Sequence, residues 1–134
     1  MIRIRRTTDL ELVAKLDRIC FPADEPVGFA LNRFWWVATR DGIPVAYAGV
    51  SAILDSDLLY LCRCGVVPWA RGLGLQRRLI QARVRLARKF KLEPITDTQP
   101  GNWASANNLI ACGFRMYEPG YRWAGDSWCY WRKA

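Results

Sequence analysis

The residues best suited to chemistry lie in one short segment that contains two glycines, Val66 to Gln76, with the sequence VVPWARGLGLQ. Gly72 and Gly74 allow positive φ angles and a close approach of the backbone to a ligand, because they carry no β-carbon. A helical pattern begins at Leu75, so unpaired backbone N–H groups point out of a helix N-terminus, which favours an anion. The segment therefore predicts either a phosphate-binding loop or a simple glycine turn that leads into a basic helix.

Positive charge is concentrated around this segment. The chain has 20 Lys and Arg against 12 Asp and Glu, which gives a formal net charge of +8. No acidic residue occurs from Leu58 to Leu92, and the basic residues in that stretch are Arg63, Arg71, Arg77, Arg78, Arg83, Arg85, Arg88, Lys89 and Lys91. Such a distribution favours an anionic ligand or partner, although a basic surface also serves solubility alone.

Composition excludes several classes of site. The 134 residues are predicted to form one domain, residues 1–134, and 51% of them are hydrophobic, which is enough for a core. The chain has no histidine, which excludes Ser-His-Asp and Cys-His catalysis. The five cysteines are an odd number, and we expect neither an export signal nor a membrane-spanning run. We therefore expect reduced thiols, a cytoplasmic location, no membrane partner and no metal site.

The hydrophobic pattern of the first half predicts a strand, a helix and a hairpin. The first six residues alternate apolar and basic side chains, as a strand does. Thr8 with Glu11 forms a capping-box pattern ahead of the first helix. A further short helix is predicted over residues 29–34, and Asp41-Gly42 predicts a tight turn between two strands.

The second half predicts a crossover connection. A third strand, LLYLCRCGVV, ends at Pro68, an amphipathic helix starts at Leu75, and a short strand, ITDT, follows. A helix from Asn102 or Trp103 to Cys112 and two terminal strands complete the order β-α-(α)-β-β-β-α-β-α-β-β. Since a strand–helix–strand crossover joins parallel strands, the pattern predicts the α/β (α+β) class with a mixed sheet.

Two segments resemble the signatures of one family. VVPWARGLGLQ is similar to the pyrophosphate loop V-x-P-x-x-[QR]-G-x-G-x-[GA], and NWASANNLIACGF is similar to N-x-x-[AS]-x-x-x-[YL]-x-x-x-G-F. Both are signatures of the GNAT N-acetyltransferase superfamily, and the resemblance covers the chain from Leu58 to Phe114. It implies a mostly antiparallel central sheet with a parallel, splayed strand pair and helices on both faces. It also implies acetyl-CoA as the cosubstrate.

The resemblance implies a binding role for particular residues. Main chain from Cys64 to Val67 would pair with the pantetheine arm, amides from Arg71 to Gln76 would hold the pyrophosphate, and Asn102 and Ser105 would contact the pantetheine. The implied cofactor-binding residues are Cys64, Val66, Val67, Arg71, Gly72, Leu73, Gly74, Leu75, Gln76, Asn102, Ser105 and Asn107. The 3′-phosphate would meet the basic residues Arg77, Arg78 and Arg83, unless these form only a solvated face.

Two positions depart from the family pattern. Gln76 replaces the small residue that ends the loop, and we expect its side chain to swing outward and leave the amide free. Leu109 stands where many members carry a tyrosine acid, so the acid must come from elsewhere. The candidates are Tyr117, Tyr121 and Tyr130 in the terminal segments and Cys112 on the same helix as Leu109, and we predict Tyr117 as the catalytic residue.

The resemblance implies a direct attack of the amine on the thioester, which requires a base. Asp97, at the end of the short strand, is the candidate base, or else a loop-capping residue. Ser105 is a candidate catalytic hydroxyl, and a covalent role for Cys64 is the alternative to direct attack. Asp24 and Glu25 lie in the loop that borders the acceptor in relatives, and together with Asp97 they would bind a cationic amine.

These features predict an N-acetyltransferase that moves an acetyl group from acetyl-CoA to a primary amine of a small molecule or a protein. A catalytically weak acyl-CoA-binding regulatory module is one alternative. Another is an acetyltransferase whose acceptor is an amine on a nucleotide or an aminoacyl-tRNA. This nucleic-acid partner is not favoured, because most of the tryptophans lie in strand patterns that suit a core. The tryptophan-rich C-terminal strand also fits a homodimer interface.

Overall fold

The computed structural model describes residues 1–30 and 32–133, in which three α-helices pack on a seven-stranded sheet. The helices are α1 (Leu10–Cys20), α2 (Leu75–Lys89) and α3 (Trp103–Ala111). The strands are β1 (Ile2–Thr7), β2 (Arg33–Arg40), β3 (Ile43–Ala52), β4 (Leu58–Val66), β5 (Glu93–Thr98), β6 (Arg115–Met116) and β7 (Cys129–Arg132). The predicted class, a mixed sheet with helices, is confirmed.

The sheet opens between its two parallel strands. Its order is β1-β2-β3-β4-β5-β7-β6, and all neighbours are antiparallel except β4 and β5, which α2 connects. The β4–β5 register joins Leu58–Tyr60 to Glu93–Ile95, and both strands continue beyond these residues without pairing to each other. The strands therefore diverge towards their C-terminal ends and leave a gap in the middle of the sheet.

A β-bulge in β4 lies where the two strands separate. Val50 of β3 pairs with Leu61, whereas Ala48 pairs with Cys64, so β4 has one more residue than β3 between these pairs. A bulge bends its strand and increases the local twist. The bulge therefore turns β4 away from β5.

Local sequence explains the hairpin turn, and the N-cap of α1 differs from the predicted one. Asp41 and Gly42 both have positive φ angles, 51° and 83°, as a type I′ turn requires, and the predicted turn is confirmed. Helix α1 is capped by Asp9, whose carboxylate accepts a hydrogen bond of 3.1 Å from the Leu12 N–H. The capping box predicted for Thr8 is wrong, because the aspartate stands directly before the first helical residue.

The short helix predicted over residues 29–34 is not formed in the described part of this segment. Strand β2 begins at Arg33, and residue 31 lies outside the described residues. Phe29 instead packs edge-to-face against Trp35 of β2, with 5.6 Å between the ring centroids. This aromatic contact anchors the segment to the sheet without a helix.

Helices α1 and α2 cover opposite faces of the sheet. Helix α1 lies on the face of Tyr47, since a β-carbon at the paired Gly65 would come within 2.5 Å of the Tyr47 ring and 2.9 Å of Cys20 Cβ. Helix α2 covers the other face of β3 and β4. Buried residues on that face include Ala48, Val50, Leu59 and Leu61. No helix among residues 1–30 and 32–133 has the length and apolar character needed to cross a membrane.

A buried carboxylate joins α1 to the sheet. Asp17 is 3% exposed and accepts hydrogen bonds from the Tyr47 hydroxyl and, at 3.0 Å, from the Arg63 guanidinium. It also accepts a bond of 3.2 Å from the Val27 N–H, while Arg63 donates to the Glu25 carbonyl at 3.0 Å. These bonds hold the loop that follows α1 against β4.

We expect Asp17→Asn to lower the free energy of unfolding by about 2 kcal/mol, because the amide leaves Arg63 without its charge partner. Urea denaturation measures the change. Asp57→Asn, at an exposed aspartate in the turn before β4, is the matched control and should stay within about 0.5 kcal/mol of the native protein. Equal stability of the two variants would contradict a supporting role for the Asp17 carboxylate.

Candidate functional site

The divergence of β4 and β5 opens a cleft of about 400 Å³. Strand β4 lines it with residues 60–64, and β5 and the following loop line it with residues 96–99. Helix α2 contributes Gln76, Ile80 and Arg83, which recur at intervals of four and three residues and so form one stripe of the helix. A volume of this size suits a small ligand.

A groove of about 620 Å³ continues from the cleft to the N-terminus of α2. It runs along Val66 at the end of β4, past the glycine loop and the first turn of α3. The cleft and the groove share five lining residues, which are Phe21, Cys64, Gln76, Asn102 and Ser105. The two spaces are therefore continuous, and one extended ligand can occupy both.

The N-terminus of α2 presents unpaired amides to the groove. The N-cap residue, Gly74, has no side chain to cap the helix. The first helical hydrogen bond runs from the Arg78 N–H to the Gly74 carbonyl, so the N–H groups of Leu75, Gln76 and Arg77 have no helical acceptor. Together with the helix dipole, these amides favour an anion at this position.

Both glycines of the loop are required by backbone conformation. Gly72 has φ 83° and Gly74 has φ 74°, in the left-handed region that other residues rarely adopt. A β-carbon at either position would meet no atom of the described residues within 4 Å. The space in front of the loop is thus open to a ligand.

Gln76 forms a polar bridge between α2 and α3. Its Nε2 donates to the Ser105 Oγ at 3.1 Å, and its Oε1 accepts from the Asn108 Nδ2 at 2.6 Å. Arg77 extends the bridge by donating from Nε to the Asn108 Oδ1 at 2.7 Å. The expectation that the Gln76 side chain swings outward is wrong, because α3 offers it two polar partners across the groove.

Asp97 is held by two aromatic donors at the floor of the cleft. The Tyr60 hydroxyl and the Trp123 indole Nε1 both donate to its Oδ2, each at 2.7 Å. The pKa of Tyr60 is raised by burial and then by the neighbouring carboxylate, so its hydroxyl stays a donor. Oδ1 of Asp97 accepts no hydrogen bond from the described residues and can act on a ligand in the cleft. The sequence did not indicate Tyr60 or Trp123, because they approach Asp97 from distant segments.

Most of the predicted binding residues meet at these two spaces. Asp97, Asp24, Cys64, Gln76, Asn102 and Ser105 line the cleft, and Val66, Arg71, Gly72, Gly74 and Leu75 line the groove. Asn102 also caps α3, because its Oδ1 accepts from the Ser105 N–H at 3.2 Å.

Several predicted residues lie elsewhere. Val67, Leu73, Glu25, Asn107 and Tyr117 line neither the cleft nor the groove. The Tyr117 ring lies under the Arg132 guanidinium, 5.1 Å from its centroid, so the structure does not bring this hydroxyl to Asp97. Asn107 is exposed on α3 because its neighbour in the sequence, Asn108, takes the position that faces α2.

The free edge of β4 faces the cleft with alternate backbone groups. The Val67 N–H donates to the Val45 carbonyl at 2.9 Å and is engaged within the sheet. Since successive amides of a strand point in opposite directions, the N–H of Val66 faces away from β3. Val66, and not Val67, is therefore the amide available to a ligand that runs along β4.

The cysteines near the site are protonated thiols. All five cysteines are free, and burial raises the pKa of Cys20, Cys62 and Cys64, with Cys20 at about 11. A thiol with a raised pKa is a poor nucleophile at neutral pH. These environments oppose the covalent role considered for Cys64. In the described part of the chain, no group of three or more His, Cys, Asp or Glu side chains is placed to hold a metal ion.

The fold and the site define a recognisable class of protein. A mixed sheet opens between two parallel strands, and a helix N-terminus with unpaired amides lies at one end of the opening. The sequence from residue 6 to residue 114 matches the family model described as "Acetyltransferase (GNAT) family". The chain therefore belongs to the GNAT acetyltransferase family, and the expected membership and enzyme class are confirmed. Among proteins of curated function, none matches the sequence.

Solved structures share the fold over nearly the whole chain. The ribosomal-protein-S18-alanine N-acetyltransferase from Escherichia coli superposes with a TM-score of 0.78 at 18% identity and covers 99% of this chain and 93% of its own. A putative streptothricin acetyltransferase from Bacillus anthracis, in complex with acetyl coenzyme A, has a TM-score of 0.75 at 16% identity, covering 99% and 98%. PaiA N-acetyltransferase from Thermoplasma acidophilum, in complex with coenzyme A, has a TM-score of 0.77 at 13% identity, covering 99% and 98%. At these identities the likeness concerns the fold.

We expect Cys20 to resist alkylation in the folded protein. Only the thiolate reacts, and a shift of the pKa from 9.0 to about 11 reduces the thiolate fraction near neutral pH by about 100-fold. The rate with iodoacetamide, followed by mass spectrometry, should rise about tenfold per pH unit up to the raised pKa. The same protein in urea is the control, and equal Cys20 rates in both states would contradict the burial effect.

Proposed function

We propose that this protein transfers an acetyl group from acetyl-CoA to a primary amine of a small molecule or a protein, by direct attack of the amine on the thioester. The observation that carries the proposal is the continuity of the groove and the cleft. An anion site at the start of α2 leads, along the free edge of β4, to a space that contains Asp97. A long phosphorylated thioester and a separate amine fit the two ends of such a space.

The groove end supports binding of the phosphorylated part of the cosubstrate. The amides of Leu75, Gln76 and Arg77 are free to donate to a pyrophosphate, and Arg71 adds a positive side chain at the rim of the groove. The Val66 amide would pair with the pantetheine arm, as a further strand pairs with a sheet edge, while the Val66 carbonyl accepts a bond of 3.4 Å from Arg71 Nε. Arg83 does not contribute to a 3′-phosphate site, because it is 2% exposed and lines the cleft and not the groove.

The cleft end supports binding of a cationic amine. Asp97 and Asp24 both line the cleft, and Asp97 keeps one carboxylate oxygen for a ligand. In the proposed reaction the ammonium first gives one proton to Asp97, which passes it to solvent. The neutral amine nitrogen then bonds to the thioester carbonyl carbon and loses its second proton to the same carboxylate as the carbon–sulfur bond breaks. The backbone N–H of Cys64, a residue of β4 that lines both the cleft and the groove, would stabilise the negative charge that develops on the carbonyl oxygen.

A binding module without efficient catalysis is the second candidate. It is favoured by Leu109, which is 5% exposed, lines the cleft and offers no hydroxyl to the leaving sulfur. Thiol release from acetyl-CoA, measured with a panel of polyamines, amino acids, aminoglycosides and peptides, separates the two functions. Release that depends on an amine supports the transferase. Tight binding of acetyl-CoA with no release above the buffer rate supports the module.

The nucleic-acid and compartment proposals rest on different features. Trp35, Trp36 and Trp131 are at most 5% exposed, as expected for core residues, whereas Trp69 is 65% and Trp103 is 74% exposed beside the groove. Salt-dependent binding of RNA would be needed to support an acceptor on nucleic acid.

Five free cysteines fit a reducing compartment such as the cytosol.

Asp97→Asn should lower kcat by at least about 100-fold and change the KM for acetyl-CoA less than about threefold, because the amide keeps the shape of the carboxylate but accepts no proton. Steady-state thiol release with the best amine of the panel measures both constants. Asp57→Asn is the matched control, since it removes an exposed carboxylate outside the cleft. A kcat unchanged by Asp97→Asn would remove this residue from the mechanism.

Gln76→Ala should lower the free energy of unfolding by about 1 kcal/mol, because two hydrogen bonds between α2 and α3 are lost. Its affinity for CoA should be equal or up to about threefold higher, since the Ser105 hydroxyl becomes free for the ligand. Urea denaturation and isothermal titration calorimetry measure the two effects. A loss of affinity above about tenfold would mean that the Gln76 side chain itself binds the cosubstrate.

A further inference from the structure

Arg83 is a buried cation without a carboxylate partner. Its Nη1 donates to the carbonyls of Gly49 and Cys62, both at 3.1 Å, and its Nε donates to the Leu79 carbonyl at 3.2 Å. None of the ion pairs in the described part of the chain involves Arg83. Carbonyl oxygens satisfy the N–H groups but do not neutralise the charge, and burial lowers the pKa of the guanidinium. A buried charge without a counter-charge costs folding free energy, and a role in function would explain why the protein keeps it.

The remaining nitrogen of Arg83, Nη2, has access to the cleft. It makes no hydrogen bond to the residues that the structure describes. No fully buried side-chain nitrogen or oxygen in that part of the chain lacks a partner, so Nη2 must keep accessible surface. Arg83 lines the cleft between β4 and β5, which places this surface on the cleft wall. The geometry points to a cation that faces a ligand.

Arg83 and Asp97 border the cleft from opposite faces of the sheet. Asp97 bonds to Tyr60, which pairs with Ser51 and so lies on the same face as Tyr47 and α1. Arg83 belongs to α2, which covers the other face. The carboxylate on one face can take a proton, and the cation on the other face can stabilise an anion that forms in the opening.

The surroundings of Arg83 strengthen the electrostatic effect of its charge on a neighbouring group. Ile80 and Leu109 line the same part of the cleft, and the nearby thiols of Cys62 and Cys64 are neutral because burial raises their pKa. A buried charge acts on a neighbouring group more strongly than a charge in water does. Among the described residues, the two carboxylates that line the cleft, Asp24 and Asp97, form no ion pair with Arg83.

We propose that the guanidinium of Arg83 stabilises the thiolate that leaves acetyl-CoA, an inference that rests on the proposed function. The amine nitrogen forms a bond to the acetyl carbon, the carbon–sulfur bond breaks, and its electron pair goes to sulfur. The nitrogen attacks as the neutral amine, after its first proton has passed through Asp97 to solvent, and it loses its second proton to Asp97 on the other face. The thiolate leaves as an anion beside Nη2 of Arg83 and takes a proton from solvent after release.

This assignment explains how Leu109 is compatible with transfer. A thiol has an ordinary pKa of about 8.5, so a thiolate is a good leaving group that needs charge stabilisation more than an acid. Arg83 remains charged at neutral pH and supplies this stabilisation without giving up a proton. It lies on the helix next to α3, on the same cleft wall as Leu109.

The first test measures the pKa of the CoA thiol in the binary complex, which needs no acceptor. Thiolate absorbance is titrated with bound CoA against bound desulfo-CoA, which lacks the thiol and cancels the signal of the protein cysteines. We expect the pKa of bound CoA to lie at least about one unit below that of free CoA. Arg83→Gln should remove the shift, and Arg83→Lys should retain part of it. Arg85→Gln, at an exposed arginine of the same helix, should leave it intact.

The second test uses turnover with two donors. Arg83→Gln should lower kcat with acetyl-CoA by about 100-fold while the KM for acetyl-CoA changes little. With an acetyl thioester of a more acidic thiol, the loss should be smaller, because that leaving group needs less stabilisation. A purely structural defect would reduce the rates with both donors equally, and thermal unfolding reports such a defect separately.

The outcomes separate this inference from the proposed function. If CoA binds with an unshifted thiol pKa in the native protein, the role of Arg83 is overturned even if Arg83→Gln does not fold. If the loss of turnover is confined to acceptors that carry a carboxylate, Arg83 binds the acceptor and the inference is equally overturned. Amine-dependent turnover in the native protein with an unshifted pKa would leave the proposed function standing. Absence of CoA binding would overturn both.

Discussion

The separation of β4 from β5 is the constraint on which the rest of the structure depends. After Tyr60 and Ile95, neither strand completes its hydrogen bonds with the other, which costs free energy unless another partner takes the exposed groups. The bulge in β4 makes this separation part of the fold, because the extra residue bends the strand. The same separation creates the cleft, exposes the Val66 amide and lets groups from both faces of the sheet meet.

Polar networks hold the parts that surround this opening. Asp17, Tyr47 and Arg63 attach the loop after α1 to β4, and Tyr60 with Trp123 holds Asp97. Each network joins segments that lie far apart in the sequence, so the position of a reactive group depends on several elements at once. A charged group held by more than one donor keeps its orientation at little entropic cost during a reaction.

The success of the sequence predictions depended on the range of the interactions involved. The Asp41-Gly42 turn, the start of α2 after Gly74 and the end of α3 at Gly113 follow from local backbone preferences, and each was predictable. The cap at Asp9 was missed because Thr8 and Asp9 are both good caps, and their competition is decided by where the first turn begins. The orientation of Gln76 was missed because its partners, Ser105 and Asn108, lie on another helix.

The sequence by itself determined the family, the order of the elements and the glycine loop, since these depend on periodicity, turn residues and motifs within short segments. Only the tertiary structure decided which side chains share the cleft. In the structure Tyr117 lies away from Asp97, and Asn108 faces α2 where Asn107 was expected. Arg83 is buried, although the sequence pattern placed it on a basic surface. The physical reason is that charge and hydrogen bonding act through space. Burial and the splay of two strands, which no local pattern specifies, decide which groups meet.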